Sequence, residues 1–183
     1  MTKPPEGYGR YRPMTVGEVA RIAGVPRETL RKWLRSDVFK KVMPPEGGGW
    51  RRFTDFEAML VGVYARLIEC DLGHDAAHVG MGVFGKWLMD EWIEVEGVPY
   101  YSDATFQKNR FLFFWRNSDG QWSAEDVEMG DEFNAKMNAR LDETYSGGPA
   151  FSVINLGVIL KRCQLALLDV QLEKAAKLEK GAK

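Results

Sequence analysis

The chain is poor in cysteine and histidine, with two of each among its 183 residues. Two cysteines separated by most of the chain do not make the framework of a small secreted protein held together by disulfides. Long apolar runs are also missing, because the longest aromatic and aliphatic stretch, residues 111–115, is far shorter than the ~20 residues that a membrane span needs. With no secretory leader recognisable either, we predict a cytoplasmic protein without a membrane partner.

Motifs for catalysis or metal binding are equally scarce. Cys70, His74 and His78 recur at steps of four, but an intervening glycine interrupts their helix and no second cysteine cluster completes a thiolate site. Residues 80–86, GMGVFGK, match phosphate-loop patterns, yet a helical pattern precedes them and Trp87 follows where Ser or Thr is needed. Because Ser-His-Asp spacing and paired carboxylates are lacking too, we predict no enzyme activity, no cofactor and no metal.

The chain has almost no net charge, formally −1, but its charges are unevenly distributed along the sequence. Residues 1–54 contain twelve Lys or Arg and five Asp or Glu, a balance of +7. Residues 55–183 contain thirteen and twenty-one, a balance of −8. A basic end on an acidic remainder concentrates polyanion binding at one end, which suits a nucleic acid better than a membrane.

Near the N-terminus the pattern predicts two short helices. Thr15 and Glu18 are spaced as a capping box, which predicts the start of a first helix that ends at Gly24. Pro26 begins a second helix that runs to about residue 37. This second helix separates an apolar face from a cationic one, which is the layout of a recognition helix lying on its neighbour. The apolar face comprises Leu30, Trp33 and Leu34.

Residues 44–53, PPEGGGWRRF, predict a β-ribbon, or wing, because three glycines free the backbone at its tip. The stretch MTVGEVARIAGVPRETLRKWLR, followed by GGWRRFT, resembles the winged helix-turn-helix of the MerR family over about residues 14–90. The similarity depends on matches in the recognition helix and in the wing, namely Arg27, Thr29, Leu30 and Arg31, then Gly49, Trp50, Arg51 and Phe53. The sequence departs from the family after these helices, where an uninterrupted dimerisation helix is expected.

The resemblance implies a sequence-specific transcription regulator that binds double-stranded DNA. Side chains of the recognition helix would read base edges in the major groove, and the wing would contact phosphates. The residues predicted to contact DNA are Thr15, Arg27, Glu28, Thr29, Arg31, Lys32, Arg35, Lys40, Lys41, Trp50, Arg51 and Arg52.

The predicted fold class is α+β: the winged helix-turn-helix with two supporting helices, then a small antiparallel β-meander and a long C-terminal helix. Thr54 and Glu57 form a second capping box for the third helix, which runs to Gly73, and a fourth helix begins near Asp75. That helix contains three glycines, which weaken it unless it packs closely against a neighbour. The alternating pattern predicts strands from Trp92 onward.

The meander extends to about residue 127, with a strong turn at residues 117–120, and an amphipathic helix follows at about residues 130–145. The predicted domains are a flexible N-terminal arm, a DNA-binding head and a body for regulation and dimerisation. Their bounds are residues 1–13, 14–90 and 91–183, respectively.

The last helix, from about residue 155 to 180, has apolar residues at steps of 4, 3, 4 and 3, which form a seam of about two heptads. A homodimer is chemically sensible because one short recognition helix reads only a few base pairs. The predicted dimerisation residues are Leu156, Leu160, Cys163, Leu167 and Val170.

Two alternatives stay open. Phage excisionases and small packaging-terminase subunits resemble the same winged module, so the head could bend DNA architecturally. The aromatic residues of the meander could instead line a pocket for a small-molecule or protein effector, which would make the chain a sensing adaptor. They equally fit a core between the sheet and its helices.

Overall fold

The structure, a computed structural model, describes residues 13–36, 39, 51–94 and 110–181. These residues form six helices and three strands, which confirms the predicted α+β class. In chain order they are α1 (Val16–Ala23), α2 (Arg27–Arg35), α3 (Asp55–Glu69), α4 (Gly73–Glu94), β1 (Arg110–Arg116), β2 (Trp122–Glu128), α5 (Asp131–Tyr145), β3 (Phe151–Asn155) and α6 (Leu156–Gly181).

Two identical capping boxes begin α1 and α3, as the sequence predicts. The Thr15 hydroxyl accepts from the Glu18 amide at 3.3 Å, and the Glu18 carboxylate accepts from the Thr15 amide at 2.6 Å. The corresponding distances for Thr54 and Glu57 are 3.1 and 2.8 Å. An antiparallel bridge between the residues just before each box, Met14 and Phe53, holds the two helix starts side by side.

The boundaries of α3 and α4 differ from the prediction. α3 ends at Glu69 rather than at Gly73, and Gly73, with φ of 74°, is instead the first residue of α4. α4 continues to Glu94, over the residues where a strand beginning at Trp92 was predicted. The alternation of apolar and acidic residues there is short. The segment KWLMDEWIE, residues 86–94, consists mostly of good helix formers and contains no Gly or Pro, so the helix continues through it.

The sheet is antiparallel in the order β2-β1-β3. β1 and β2 form the predicted hairpin, whose turn has Gly120 at φ of 74° and the Asn117 side chain accepting from two amides of the turn. The third strand is β3, which the sequence pattern did not indicate. Because β3 follows α5, the predicted simple meander is wrong for this strand. The remainder of the strand region predicted before β1, residues 95–109, lies outside the described residues.

Both faces of the sheet are covered, as its apolar pattern predicts. Leu112 and Phe114 point into the main core with α3 and α4. On the other face, the rings of Phe111 and Phe113 lie 4.6 and 5.4 Å from the ring of Phe133 in α5. The aromatic residues of β1 therefore fill cores on both sides of the sheet.

The glycines of α4 differ in their surroundings. A Cβ at Gly80 would lie 2.6 Å from the Phe114 ring, and one at Gly85 would lie 3.2 Å from the Leu60 side chain. The predicted close packing is confirmed at these two positions. It is wrong for Gly82, where a Cβ would have no neighbouring atom within 4 Å.

The main hydrophobic core includes residues of both the predicted head and the predicted body. α3 lies at its centre and packs against α1, α4 and α6. The sheet joins the same core through α4 and α6. None of the described helices is both long and apolar enough to cross a membrane.

Candidate nucleic-acid interface

A tight turn positions α2 against α1. Gly24 ends α1 with φ of 69°, and a Cβ there would come 2.9 Å from the Arg66 guanidinium. The Val25 amide donates to the Ala20 carbonyl at 3.0 Å, which reverses the chain before Arg27 begins α2. This closed turn fixes the angle at which α2 leaves α1.

The apolar face of α2 is anchored as predicted. Leu30 is fully buried, and Trp33 and Leu34 pack against the main core. The Trp33 ring meets the Tyr64 ring edge-on, with 5.1 Å between centroids. The opposite face is thereby held outward on a rigid support.

The helix carries four cations and one carboxylate, a balance of +3. Arg27, Lys32 and Arg35 are exposed, as is Glu28, whereas Arg31 and Thr29 are half-buried. The Arg31 guanidinium pairs with the Glu28 carboxylate one turn earlier on the helix. The structure thus brings the six α2 residues predicted to bind DNA together on one short helix.

Of the five wing residues predicted to bind DNA, only Arg51 and Arg52 are among the described residues. Lys40, Lys41 and Trp50 lie outside the described residues. Arg52 is exposed. The Arg51 side chain is only 17% exposed, donates to Glu57 at 3.1 Å and lies 5.0 Å above the Phe53 ring.

Arg51 therefore attaches the end of the wing region to the start of α3. Thr15, also predicted to contact DNA, uses its hydroxyl to cap α1. The geometry gives both residues a positioning role in the scaffold beneath α2.

One turn of α6 contacts the starts of both α1 and α3, and the sequence pattern does not indicate these contacts. Gln171 donates to the Asp55 carboxylate at 2.6 Å, and Asp55 is only 2% exposed. Lys174 lies 3.1 Å from the Glu18 carboxylate, on the oxygen that the capping box does not use. No local motif marks such contacts, because they join residues more than a hundred positions apart.

A bidentate ion pair also joins α1 to α6. The Arg21 guanidinium donates to both carboxylate oxygens of Glu173, at 2.6 and 2.8 Å. These hydrogen bonds lower the pKa of Glu173 below its ordinary range. Burial alone would raise the pKa of Glu18, but hydrogen bonds from Thr15 and Lys174 outweigh it and lower the pKa.

The seam predicted for dimerisation is occupied within the chain. All five of its residues are at most 5% exposed, and they face α1, α3 and the sheet. Cys163 is packed so closely that its Sγ would lie 2.8 Å from a Cβ at Gly62, and burial raises the pKa of its thiol to about 12. A partner subunit would have to bind a different face of α6. The five residues are Leu156, Leu160, Cys163, Leu167 and Val170.

The other candidate motifs have packing roles in the described part of the chain, where no three side chains cluster as metal ligands. Cys70 caps the end of α3, and His74 lies in the first turn of α4, so the two do not share a helical face. His74 Nδ1 lies 2.7 Å from the Tyr64 hydroxyl. The glycines of residues 80–86 lie inside α4, two of them at helix contacts.

Residues 14–69 match the family model described as MerR HTH family regulatory protein. The N-terminal segment is a MerR-like helix-turn-helix. The match spans α1 to α3 and confirms the resemblance seen in the sequence. The description of this family names helix-turn-helix regulatory proteins, so a DNA-binding regulator is the function class that this segment suggests. No curated protein matches the chain.

Proposed function

We propose that this protein is a sequence-specific transcription regulator that binds double-stranded DNA as a homodimer. The observation that carries the proposal is the outward face of α2, within the MerR-like segment. Leu30 is fully buried and fixes the helix, while Lys32 and Arg35 are exposed on its other side and Arg27 is exposed at its first residue. A rigidly supported cationic helix of this length fits the major groove.

The pairing of Arg31 with Glu28 has a consequence for base reading. Glu28 engages one Nη atom of the guanidinium and limits its freedom before DNA arrives. The remaining donors can bind guanine O6 and N7, the commonest specific contact of arginine. We assign base reading to Arg31 on this ground and to its neighbours on the same helix, namely Arg27, Glu28, Thr29 and Lys32.

Arg35 and the wing are assigned to the phosphate backbone. Arg52 is exposed at the end of the wing region, and Lys40 and Lys41 supply further positive charge in the sequence. Arg51 is assigned to holding this strand on Glu57 rather than to the phosphates. Such contacts would position α2 without reading sequence.

The dimer and the location follow from the same function. One helix of nine residues reads only a few base pairs, so two heads are needed for useful specificity. A regulator must also reach the chromosome, which fits the cytoplasmic location predicted from the sequence.

The test is fluorescence-anisotropy titration of the full chain against DNA fragments from its own locus and a scrambled fragment, at about 50 and 200 mM salt. Arg31→Ala should weaken binding to the preferred fragment by ~1–3 kcal/mol and relax specificity. Arg52→Ala should weaken all fragments alike and reduce the salt slope by about one unit. Lys86→Ala, which removes an exposed cation of α4 outside the matched segment, is the matched control.

If both arginine variants lose equally on preferred and scrambled DNA, the sequence-reading role is refuted and an architectural role is favoured. If the wild-type protein binds neither fragment at the lower salt concentration, the DNA-binding proposal itself fails.

A further inference from the structure

Arg66 of α3 lies with its guanidinium against the turn between α1 and α2. A Cβ on Gly24 would be 2.9 Å from Nη2, 3.4 Å from Cζ and 3.4 Å from Nη1. The guanidinium, rather than the flexible stem of the side chain, therefore packs on the side of the turn where glycine has no side chain. The turn itself depends on that glycine, because its φ is 69°.

Further contacts hold this guanidinium in place. Its Nη1 donates to both carboxylate oxygens of Glu69, one turn later on α3, at 2.7 Å. The Cys163 thiol of α6 lies beside it: burial raises the pKa of this thiol to about 12, and the arginine charge opposes part of the rise. None of the described residues accepts a hydrogen bond from its buried Nε. The group is therefore placed for contact with the turn rather than for the largest number of hydrogen bonds.

The start of α2 needs such a support because it has no cap of its own. α1 and α3 each begin with a capping box, whereas the residue before α2 is Pro26, which provides no side-chain cap. Leu30 anchors the middle of α2 in the core. The angle at which α2 begins then depends on the closed turn and on the group that lies against this turn.

A small change in this angle matters for base reading. At ~1.5 Å per residue, Arg31 lies ~6 Å and Arg35 ~12 Å from Arg27 along the helix. A tilt of about 10° at the turn would move Arg31 by ~1 Å and Arg35 by ~2 Å. Ordinary hydrogen-bond lengths spread over only about 0.5 Å, so contacts to base edges would be lost before contacts of long side chains to phosphates.

We propose that Arg66 is a positioning residue for base reading, which holds the turn so that α2 presents Arg31 at the angle that the major groove requires. The proposal rests on the proposed function, because it concerns how the same helix reads DNA. The Arg66 side chain is only 22% exposed, is engaged by Glu69 and faces the turn. Its effect on DNA binding therefore passes through α2.

The experiment compares Arg66→Ala with Arg140→Ala in the full chain. Arg140 is a close match, because its side chain is 21% exposed and pairs with Glu143 three residues later at 2.8 Å, but it lies in α5 above the Trp115 ring. Anisotropy titrations are made at a temperature where circular dichroism shows every variant to be folded. Arg66→Ala should weaken binding to the preferred fragment about tenfold and to the scrambled fragment less than about threefold. Arg140→Ala should change neither.

Hydrogen exchange of the free protein tests the same role without DNA. The Val25 and Leu30 amides donate to carbonyls of α1 and of the turn at 3.0 and 3.1 Å. In Arg66→Ala these two amides should exchange at least about fivefold faster than in wild type, because the turn opens more readily, while the amides of β1 keep their rates. Arg140→Ala should leave the Val25 and Leu30 rates unchanged.

Two more variants test the contact itself. The strain of an alanine at Gly24 is the same in both backgrounds, but the added Cβ meets the guanidinium only when Arg66 is present. Gly24→Ala should therefore weaken binding to the preferred fragment at least about threefold more in the wild-type background than in the Arg66→Ala background. Arg66→Lys keeps the charge but loses the planar fork, so it should behave as Arg66→Ala does.

Several results would overturn the proposal. Wild-type exchange of Val25 and Leu30 in Arg66→Ala would show that the guanidinium does not hold α2. Equal losses of that variant on the two fragments would remove the link to base reading, and full recovery in Arg66→Lys would assign the effect to charge alone. All three leave DNA binding by the wild type intact. A wild-type chain that binds no DNA would instead refute the proposed function, and the exchange rates would then decide by themselves whether Arg66 holds α2.

Discussion

Adding one methyl group at either of two neighbouring glycines of α4 should have opposite effects on stability. Gly80 faces the core, where a new Cβ would lie 2.6 Å from the Phe114 ring and 2.9 Å from the Leu67 side chain. Both of those residues are fully buried and have no free space into which to move. Gly82 faces open space, so its new Cβ meets no neighbour.

The magnitudes follow from two terms. Replacing glycine by alanine inside a helix favours folding by about 0.5–1 kcal/mol, and this term applies equally to both positions. Overpacking a core with an added carbon costs about 1–3 kcal/mol, and it applies at Gly80 alone. Gly82→Ala should therefore stabilise the chain by about 0.5–1 kcal/mol. The free energy of unfolding of Gly80→Ala should lie about 1–3 kcal/mol below that of Gly82→Ala.

Thermal and urea unfolding followed by circular dichroism measure the difference, which should appear as about 2–4 °C in Tm per kcal/mol for a chain of this size. Gly85→Ala, whose Cβ would be 3.2 Å from Leu60, should fall between the two. Equal midpoints for the Gly80→Ala and Gly82→Ala variants would refute the packing of α4 on β1 described above.

Three further predictions concern α6 and the thiols. Gln171→Ala should lower the free energy of unfolding by about 1.5–3 kcal/mol, because it removes a hydrogen bond to the buried Asp55 carboxylate. Because the pKa of Glu173 is lowered in the folded chain, Glu173 stabilises the chain above about pH 4.5 and loses this effect as the pH falls through its folded pKa. With Glu173→Gln, the denaturant midpoint should therefore fall less steeply as the pH is lowered through this range. A thiol reagent at about pH 8 should label Cys70 in the native chain and both Cys70 and Cys163 in denaturant, because burial raises the pKa of Cys163 to about 12.

Each of these has a result that would contradict it. Unchanged unfolding of Gln171→Ala would mean that the contact with Asp55 contributes nothing to stability. Identical acid limbs for Glu173→Gln and wild type would remove the linkage argument. Rapid labelling of two thiols in the native chain would mean that Cys163 is accessible.

The parts of the head that follow local chemistry could be predicted from the sequence. A capping box needs only two residues three positions apart, so the starts of α1 and α3 were readable at Thr15 and Thr54. The two faces of α2 follow from the helical period, and Leu30 is buried where that period puts it. The candidate DNA-binding side chains of α2 were therefore found without tertiary information.

The elements that depend on distant partners were not readable. β3 has only five residues and passes directly into α6, so neither its length nor a turn marks it. It is a strand because it pairs with β1, where Phe113 lies between Glu125 and Val153. The charge of Arg51 predicts a DNA contact, and only the ion pair with Glu57 indicates a structural role instead.

The last helix shows why periodicity alone is ambiguous. Both of its apolar lines repeat at heptad spacing, and by that criterion the buried five-residue seam outranks the exposed line of Val158, Leu165 and Leu172 as a dimer interface. The structure shows which line is buried: Cys163 packs against Gly62 of α3, at a position where a Cβ on the glycine would have no room. A residue packed that closely within its own chain has no surface left for a partner. The longer line therefore belongs to the core of its own chain, although its repeat by itself is also the pattern of a helix that pairs with a partner.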